Sequence, residues 1–193
     1  TPEYVVDKAT KLETLYDRIH EVRMRFEVLK RDAEIACLKA IAAGGNAESL
    51  QAALQQQLSK LDDDFAFVAQ CNEGGEFMAA EHIERLQAIA RQRWTRTLSD
   101  RLGISYEERQ RKERHPEQPL PFSQPLLADQ PEHLFQRRER DQLAADNRWG
   151  FKVRVPEYLY NRGELYNLSV ARGTLSEEER YKINEHIIQT IIM

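Results

Sequence analysis

The sequence is short of the features that mark several classes of protein. No apolar run approaches the ~18 residues that a membrane-spanning helix needs, and the N-terminal stretch lacks the basic and apolar regions of a signal peptide. Cysteine is scarce as well: Cys37 and Cys71 do not have the spacing of a metal site. We therefore expect a cytoplasmic protein whose two thiols are reduced.

An excess of basic residues is also missing. Lysine and arginine together number 28 against 32 acidic residues, so the formal net charge is −4, which argues against general nucleic-acid binding. Charged residues make up 31% of the chain and apolar residues 41%. That balance is typical of a soluble, helix-rich protein with a core, not of a disordered acidic tail.

Helical periodicity is what the sequence does have. Thr10 and Glu13 form a capping box, in which each side chain satisfies a free backbone N–H at the start of a helix. A heptad seam follows, and after the AGGN break at residues 43–46 there is a second seam. The short break predicts that the two helices pack as an antiparallel hairpin. The first seam is Leu12, Leu15, Ile19, Val22, Phe26, Leu29, Ala33, Ala36 and Ala40, and the second is Leu50, Leu54, Leu58, Leu61, Phe65 and Val68.

Further helices are predicted beyond the hairpin. A third runs from about Met78 to Leu98, and two more begin at Ser105 and Ser176, each of which has a glutamate three residues later in the capping-box pattern. The expected fold class is therefore mostly α, with a long antiparallel helical hairpin and further helices.

The connection between these helices is expected to be irregular. Five of the seven prolines fall within residues 113–131, and proline can neither donate a backbone hydrogen bond nor leave its predecessor unrestricted. Residues 130–146 follow with the pattern of a short helix. WGFKVRVP, residues 149–156, is the only stretch that reads as a strand.

Few residues suggest chemistry. No glycine-rich phosphate loop and no Ser-His-Asp arrangement can be argued from the spacing. Asp17 and His20 share a helical face, but a metal site in a bundle needs several such pairs, so a surface position is expected for His20.

The basic stretch RQRWTRT, residues 91–97, is open to two interpretations. Arg91, Arg93, Trp94 and Arg96 could stack on a nucleotide, or the stretch could be a helix with a buried tryptophan and exposed arginines.

The closing stretch GTLSEEERYKINEH, residues 173–186, resembles a segment of the HD-GYP phosphohydrolases. In that family a Gly-x-Leu-Ser/Thr-x-Glu-Glu opening leads into a helix that presents a metal-binding histidine. TPEYVVDKATKLE at the N-terminus looks like the segment after the family's His-Asp-x-Gly-Lys motif. The chain has no His-Asp, His-His or Gly-Tyr-Pro. The matching positions are Gly173, Leu175, Ser176, Glu178, Glu179, Ile183 and His186.

The resemblance implies an internal fragment of a bacterial signalling enzyme, a metal-dependent phosphohydrolase that hydrolyses cyclic di-GMP with a metal-activated water. His186 is the one metal ligand that carries over, so no catalytic site is complete and no metal is expected in this chain alone. The parent protein would bind a divalent metal such as Fe or Mn. The partners implied are the rest of the catalytic domain and a cyclic dinucleotide.

The same resemblance suggests a division of the chain. Residues 1–12 would be one edge of an HD-type catalytic domain, and residues 13–112 an inserted hairpin with a third helix. Residues 113–155 would form the proline-rich connection, and residues 156–193 the return into the catalytic domain. The alternative is a non-catalytic helical module that docks a partner or forms a homodimer through the long helices, since a heptad seam offers an association surface.

Overall fold

The computed structural model describes residues 18–138 and 153–192, and it confirms a mostly helical protein over these ranges. The chain divides into two compact units. The first unit contains residues 18–72 and 87–127, and the second unit contains residues 73–86, 128–138 and 153–192. Among the helices of the described ranges, none is both long and apolar enough to cross a membrane.

The predicted hairpin is confirmed in the first unit. Helix α1 spans Arg18–Ala42 and helix α2 spans Ala47–Glu73. Gly44 adopts a φ of 93° in the turn, a conformation that favours glycine. The Lys30 ammonium lies 2.8 Å from the Asp62 carboxylate, whereas the earlier Phe26 meets the later Phe65, with ring centroids 5.5 Å apart. The two helices therefore run antiparallel. The predicted capping box at residues 10 and 13 lies outside the described residues.

The buried face of α1 departs from a strict heptad. Val22, Phe26 and Ala33 are buried as predicted, but the next buried residue is Cys37, and Ala36 is exposed. The physical reason is that an uncoiled α-helix has 3.6 residues per turn, so its buried face drifts from a seven-residue repeat. The sequence also failed to predict that Asp64 is buried on α2.

The predicted third helix is wrong beyond its first half. Helix α3 spans Ala80–Ala90, and the chain then forms strand β1, Arg93–Arg96, antiparallel to strand β2, Phe122–Pro125. The backbone N–H of Leu126 donates to the carbonyls of Ala90 (3.1 Å) and Gln92 (2.7 Å). Pairing with a distant segment overrides the local helical pattern here, as tertiary context often does.

The proline-rich segment is more regular than expected, since β2 lies within it. Pro125 ends the strand at the edge of a two-stranded sheet, a position where proline is tolerated because no ladder hydrogen bond is lost. The short helix predicted from Ser105 is confirmed: α4 spans Tyr106–Lys112, and the Ser105 hydroxyl accepts a 3.1 Å hydrogen bond from the Glu108 N–H.

The second unit contains short elements and one longer helix. A 3-10 turn at Pro131–His133 leads into strand β3, Leu134–Gln136, which pairs antiparallel with strand β4, Tyr158–Asn161. Helix α5 spans Glu164–Leu168 and helix α6 spans Glu177–Ile192. The predicted closing helix is thus confirmed.

Two predictions for this region are wrong where the structure describes it. Residues 131–136 form the 3-10 turn and β3, where a short helix was predicted over residues 130–146. The predicted strand at residues 149–156 has no strand over 153–156. Residues 139–152 lie outside the described ranges. The strands of the described ranges form instead where a second segment is available to pair with, as β1 does with β2 and β3 with β4.

Candidate functional site

Helix α6 carries the candidate ligand, and a capping box sets where the helix begins. The Ser176 N–H donates to the Glu179 carboxylate at 2.9 Å, and the Glu179 N–H donates back to the Ser176 hydroxyl at 3.2 Å. Ser176 is 3% exposed, whereas Glu179 is exposed, so the serine side of the box is buried and the glutamate side lies at the surface. The box satisfies two free N–H groups. It also sets the residue at which the helix begins, and this determines the side of the helix on which each later residue lies. His186 lies within α6, about three turns from the cap at 3.6 residues per turn.

The loop before this cap is tied to a distant segment of the second unit. The Gly173 N–H donates to the Gly75 carbonyl at 2.8 Å, and the Met78 N–H donates to the Ala171 carbonyl at 2.9 Å. A Cβ at Gly74 would stand 2.7 Å from the Thr174 methyl carbon, and Gly74 has a φ of 73°. Only glycine fits this approach without strain.

A buried hydrogen bond anchors the first turn of α6. The Tyr166 hydroxyl on α5 donates to the Glu178 carboxylate at 3.0 Å, and Glu178 is 5% exposed. Burial, followed by the hydrogen bond to Glu178, raises the pKa of Tyr166 to about 12. The phenol is therefore neutral across the physiological range and holds the acidic first turn against α5.

A cation–π contact lies about one turn further along α6. Tyr181 is 4% exposed, and the Arg137 guanidinium carbon stands 4.6 Å from the centre of its ring. Burial raises the pKa of Tyr181, followed by the charge of Glu185. The Arg137 Nε also donates to the Pro156 carbonyl at 2.7 Å, so one arginine links α6 to the segment before β4.

Residues 128 and 129 hold the start of α5. The Tyr166 N–H donates to the Asp129 carboxylate at 3.1 Å, and the Ala128 N–H donates to the Glu164 carboxylate at 3.1 Å. A free N–H group at the start of a helix is a favourable partner for a carboxylate. Asp129 was not predicted from the sequence, and Glu178 was predicted only as part of the closing motif, without a partner. Asp129 is remote in sequence from the helix it caps, so no local pattern reveals it.

The described residues contain no metal cluster. No group of three or more histidine, cysteine, aspartate or glutamate side chains in residues 18–138 and 153–192 is arranged to hold a metal ion. His20, His82 and His115 are exposed, and the Nδ1 atom of His133 accepts a 3.1 Å hydrogen bond from the Gln130 N–H. These residues do not fit a complete metal site, and the role of His186 as a ligand stays a prediction.

The outer face of α6 is apolar. Ile183, Ile187 and Ile191 are 52%, 59% and 56% exposed and follow one another at intervals of four residues. Residues at that spacing line one side of a helix. The three isoleucines therefore form a stripe that the described part of the chain leaves open to solvent.

The arginine and tryptophan stretch is engaged inside the first unit. Trp94 is half-buried, with the Arg25 guanidinium carbon 5.7 Å from its ring centre. Arg96 is 9% exposed and donates to the Gln124 side chain at 3.2 Å and to the Leu98 carbonyl at 2.7 Å. These contacts favour a structural role for both residues over stacking on a nucleotide.

Comparison with known proteins adds one finding. No curated protein and no solved structure matches the chain. Residues 121–193 match the family model of the HD domain, a stretch that includes β2, the described residues of the second unit after residue 127, and all of α6. HD domains are in general dependent on divalent metals. The match supports the assignment of this part of the chain to the HD superfamily of metal-dependent phosphohydrolases.

Proposed function

We propose that this chain is part of a bacterial HD-GYP-type phosphodiesterase that hydrolyses cyclic di-GMP in the cytoplasm, and that His186 is one of its metal ligands. The observation that carries the proposal is the HD-domain match over residues 121–193, which contains the GTLSEEE motif. In the structure the same motif forms the capping box of α6, in which Ser176 is buried.

In this proposal the residues of the second unit orient α6. The capping box fixes its first turn, the Tyr166–Glu178 hydrogen bond holds that turn against α5, and Arg137 packs on Tyr181. A divalent metal, when bound, would supply an activated water and neutralise the charge of a phosphodiester. One histidine cannot hold such a metal, and the described residues contain no group of three candidate ligands. We propose that further ligands come from the longer protein and that this chain alone is silent.

The test compares this chain with a longer protein extended at both ends along the native gene. Bound metal is measured by elemental analysis, and hydrolysis is measured on cyclic di-GMP and cyclic di-AMP with Mn or Fe present. We expect the longer protein to bind metal and to cleave cyclic di-GMP preferentially, and we expect the present chain to do neither.

A matched pair of variants separates ligation from general damage. His186→Ala in the longer protein should lower metal content and hydrolysis together, whereas His82→Ala, at an exposed histidine of α3, should change neither. Hydrolysis by the present chain, or full metal content and activity in the His186 variant, would contradict the proposal. Metal binding with cleavage of another cyclic dinucleotide would correct the substrate alone.

A further inference from the structure

Helix α1 carries a second apolar stripe on the face opposite its buried one. Met24, Val28, Ile35 and Leu38 are 45%, 37%, 48% and 66% exposed. At 100° per residue, the average direction of these four lies roughly 180° from that of the buried Val22, Phe26, Ala33 and Cys37. The hairpin therefore uses one face of α1 for its own core and leaves another apolar face in solvent.

The spacing of this second stripe is that of a helix–helix seam. Its members follow at intervals of four, seven and three residues, and Arg31 occupies the position that would complete the alternation of four and three. Such a seam matches the surface of another helix, because a and d residues insert between the residues of the facing helix. A scattered set of exposed apolar residues would need no explanation, but an ordered row of four does.

The charges beside the stripe indicate which helix covers it. Asp32 and Lys39 are exposed, lie on the same side of the stripe, and are seven residues apart. Ile35 and Leu38 lie between them. A two-fold axis through this centre would place Asp32 of each copy opposite Lys39 of the other, and Ile35 of each copy opposite Leu38 of the other. A surface with this pattern is complementary to itself, which is what a two-fold symmetric interface requires.

Other arrangements of two copies are less favourable. A parallel pairing would bring Arg31 against Arg31 and would place Glu27 near Asp32 of the other copy. An antiparallel pairing shifted by one heptad toward the base of the hairpin would bring Asp32 against Asp32 and Glu34 against Glu34. Like charges that face one another across an interface suppress association.

We propose that two copies of this chain associate as an antiparallel dimer through the outer face of α1, centred on Ile35 and Leu38, with Asp32 of each copy paired to Lys39 of the other. The contact covers the distal half of one helix, so it is smaller than a standard stable interface and the association is weak. The dimer requires neither metal nor nucleotide, so it stands apart from the proposed catalytic function.

The first experiment is sedimentation equilibrium of this chain at concentrations up to roughly 1 mM, where weak association is still measurable. We expect a reversible monomer–dimer equilibrium. Leu38→Glu should raise the dissociation constant by roughly a hundredfold, because the charge enters the apolar centre twice. Met24→Glu, at an exposed position outside that centre, should raise it by less than about threefold. A wild-type chain that stays monomeric over the whole range overturns the proposal.

Charge reversal tests the pairing itself. Asp32→Lys and Lys39→Asp should each weaken the homodimer by about fivefold, since two exposed ion pairs are replaced by two repulsions. The double variant should regain wild-type affinity, and a mixture of the two single variants should form a heterodimer of similar affinity, because opposite charges then face each other again. A dimer that loses affinity in the single variants without recovery in the mixture would refute the antiparallel register.

Discussion

The interior of each unit is stabilised by different interactions. The first unit has an apolar core drawn from α1, α2, the end of α3 and the segment after β2. In the described part of the second unit the buried apolar side chains are Leu86 and Tyr181, and the buried Ser176 and Glu178 are polar and hydrogen-bonded. The core of the first unit consists of Val22, Phe26, Ala33, Cys37, Leu61, Phe67, Val68, Ile89, Ala90, Leu126 and Leu127.

This difference indicates that the first unit is the one better able to fold without a partner. Hydrophobic burial is the dominant favourable term in folding, whereas a single hydrogen bond adds only about 1 kcal/mol net. The first unit has eleven buried apolar side chains, although the second stripe of α1 remains exposed. The second unit leaves the isoleucine stripe of α6 exposed and relies on caps, buried hydrogen bonds and ring contacts in its described residues.

The largest expected effect is at the centre of the first unit. Phe26 is fully buried, and replacing it with alanine should lower the free energy of unfolding by about 3–5 kcal/mol, because it removes buried surface and leaves a cavity. Leu38→Ala, at a side chain 66% exposed on the same helix, should change the value by less than about 0.5 kcal/mol. Denaturant unfolding followed by Trp94 fluorescence, with Trp149→Phe as background, measures both. Equal effects would show that the first unit lacks a defined core.

The isoleucine stripe offers the next test of the contrast. In this chain Ile187→Ala should cost less than about 0.5 kcal/mol, since the side chain is 59% exposed. In the longer protein the same change should cost about 2–5 kcal/mol if another helix of the catalytic domain covers the stripe.

Asn184→Ala, at an exposed position of α6, serves as the control and should be nearly neutral in both proteins. Thermal unfolding of the four variants is sufficient. A neutral Ile187→Ala in the longer protein would mean that the stripe stays exposed there too.

Two carboxylates on α2 test how strongly burial affects the contribution of a polar contact to the free energy of unfolding. Asp64 is 6% exposed and accepts hydrogen bonds from Lys60 and Gln92, both 2.8 Å long. Asp64→Ala should cost about 1–3 kcal/mol, because it leaves a partly buried donor without its acceptor. Asp62→Ala removes an exposed pair with Lys30 and should cost about 0.2–1 kcal/mol.

The pH dependence of the Asp62 pair has a defined sign. The hydrogen bond from Lys30 lowers the pKa of Asp62, so its contribution is present above the ordinary carboxyl pKa and is lost as the pH falls through the folded value. Urea unfolding of both variants near neutral and acidic pH checks the order of the two effects. A cost for Asp62→Ala as large as that for Asp64→Ala would refute the assigned role of burial.

The polar anchor of the second unit should give an effect at the lower end of that expected for Asp64. An unfolded chain loses a tyrosine proton above pH ~10, but folded Tyr166 keeps its proton to about pH 12. The contribution of Tyr166 is therefore complete below pH 10 and is lost as the pH rises through the folded pKa. Because the ring is partly exposed, the loss should be about 1 kcal/mol, less than the full shift implies.

Tyr166→Phe should flatten this alkaline decline, while Tyr106→Phe, at a tyrosine 58% exposed on α4, should leave it in place. Absorbance titration of the phenolates, compared between the two variants, locates the group with the raised pKa. If the transition near pH 12 is unchanged in Tyr166→Phe, Tyr166 is not the tyrosine with the most strongly raised pKa.

Local signals in the sequence predicted the hairpin turn and the helix starts after Ser105 and Ser176. The AGGN break and the serine-led patterns at residues 105 and 176 depend on contacts within four residues. The structure confirms the hairpin turn, both hydrogen bonds of the box at 176, and the hydrogen bond to the Ser105 hydroxyl at 105. The sheet of β1 and β2 was missed because Trp94 continues the apolar face of α3 when it is read with a helical period. Thr95 and Thr97, beside Trp94 in a short run, are the β-branched signal that favours a strand.

The contacts that position α6 could not be predicted from one sequence. Asp129 and Tyr166 lie 37 residues apart, and Tyr166 and Glu178 lie 12 apart. Their pairing depends on how short elements fold back on one another, which no local periodicity specifies. The resemblance of residues 173–186 to a known motif identified the helix that carries His186, and the side chains that anchor that helix emerged only from the structure.

The hydrogen bond between Gly173 and Gly75 has a consequence for how the protein is made. It joins residues on either side of a segment, residues 87–127, that belongs to the first unit. A ribosome that has released the first 127 residues has delivered the whole of the first unit but only an early piece of the second. We therefore expect the first unit to fold during synthesis. Residues 73–86 wait for partners that are translated about a hundred codons after Gly75, a delay that rare codons in the later stretch would lengthen.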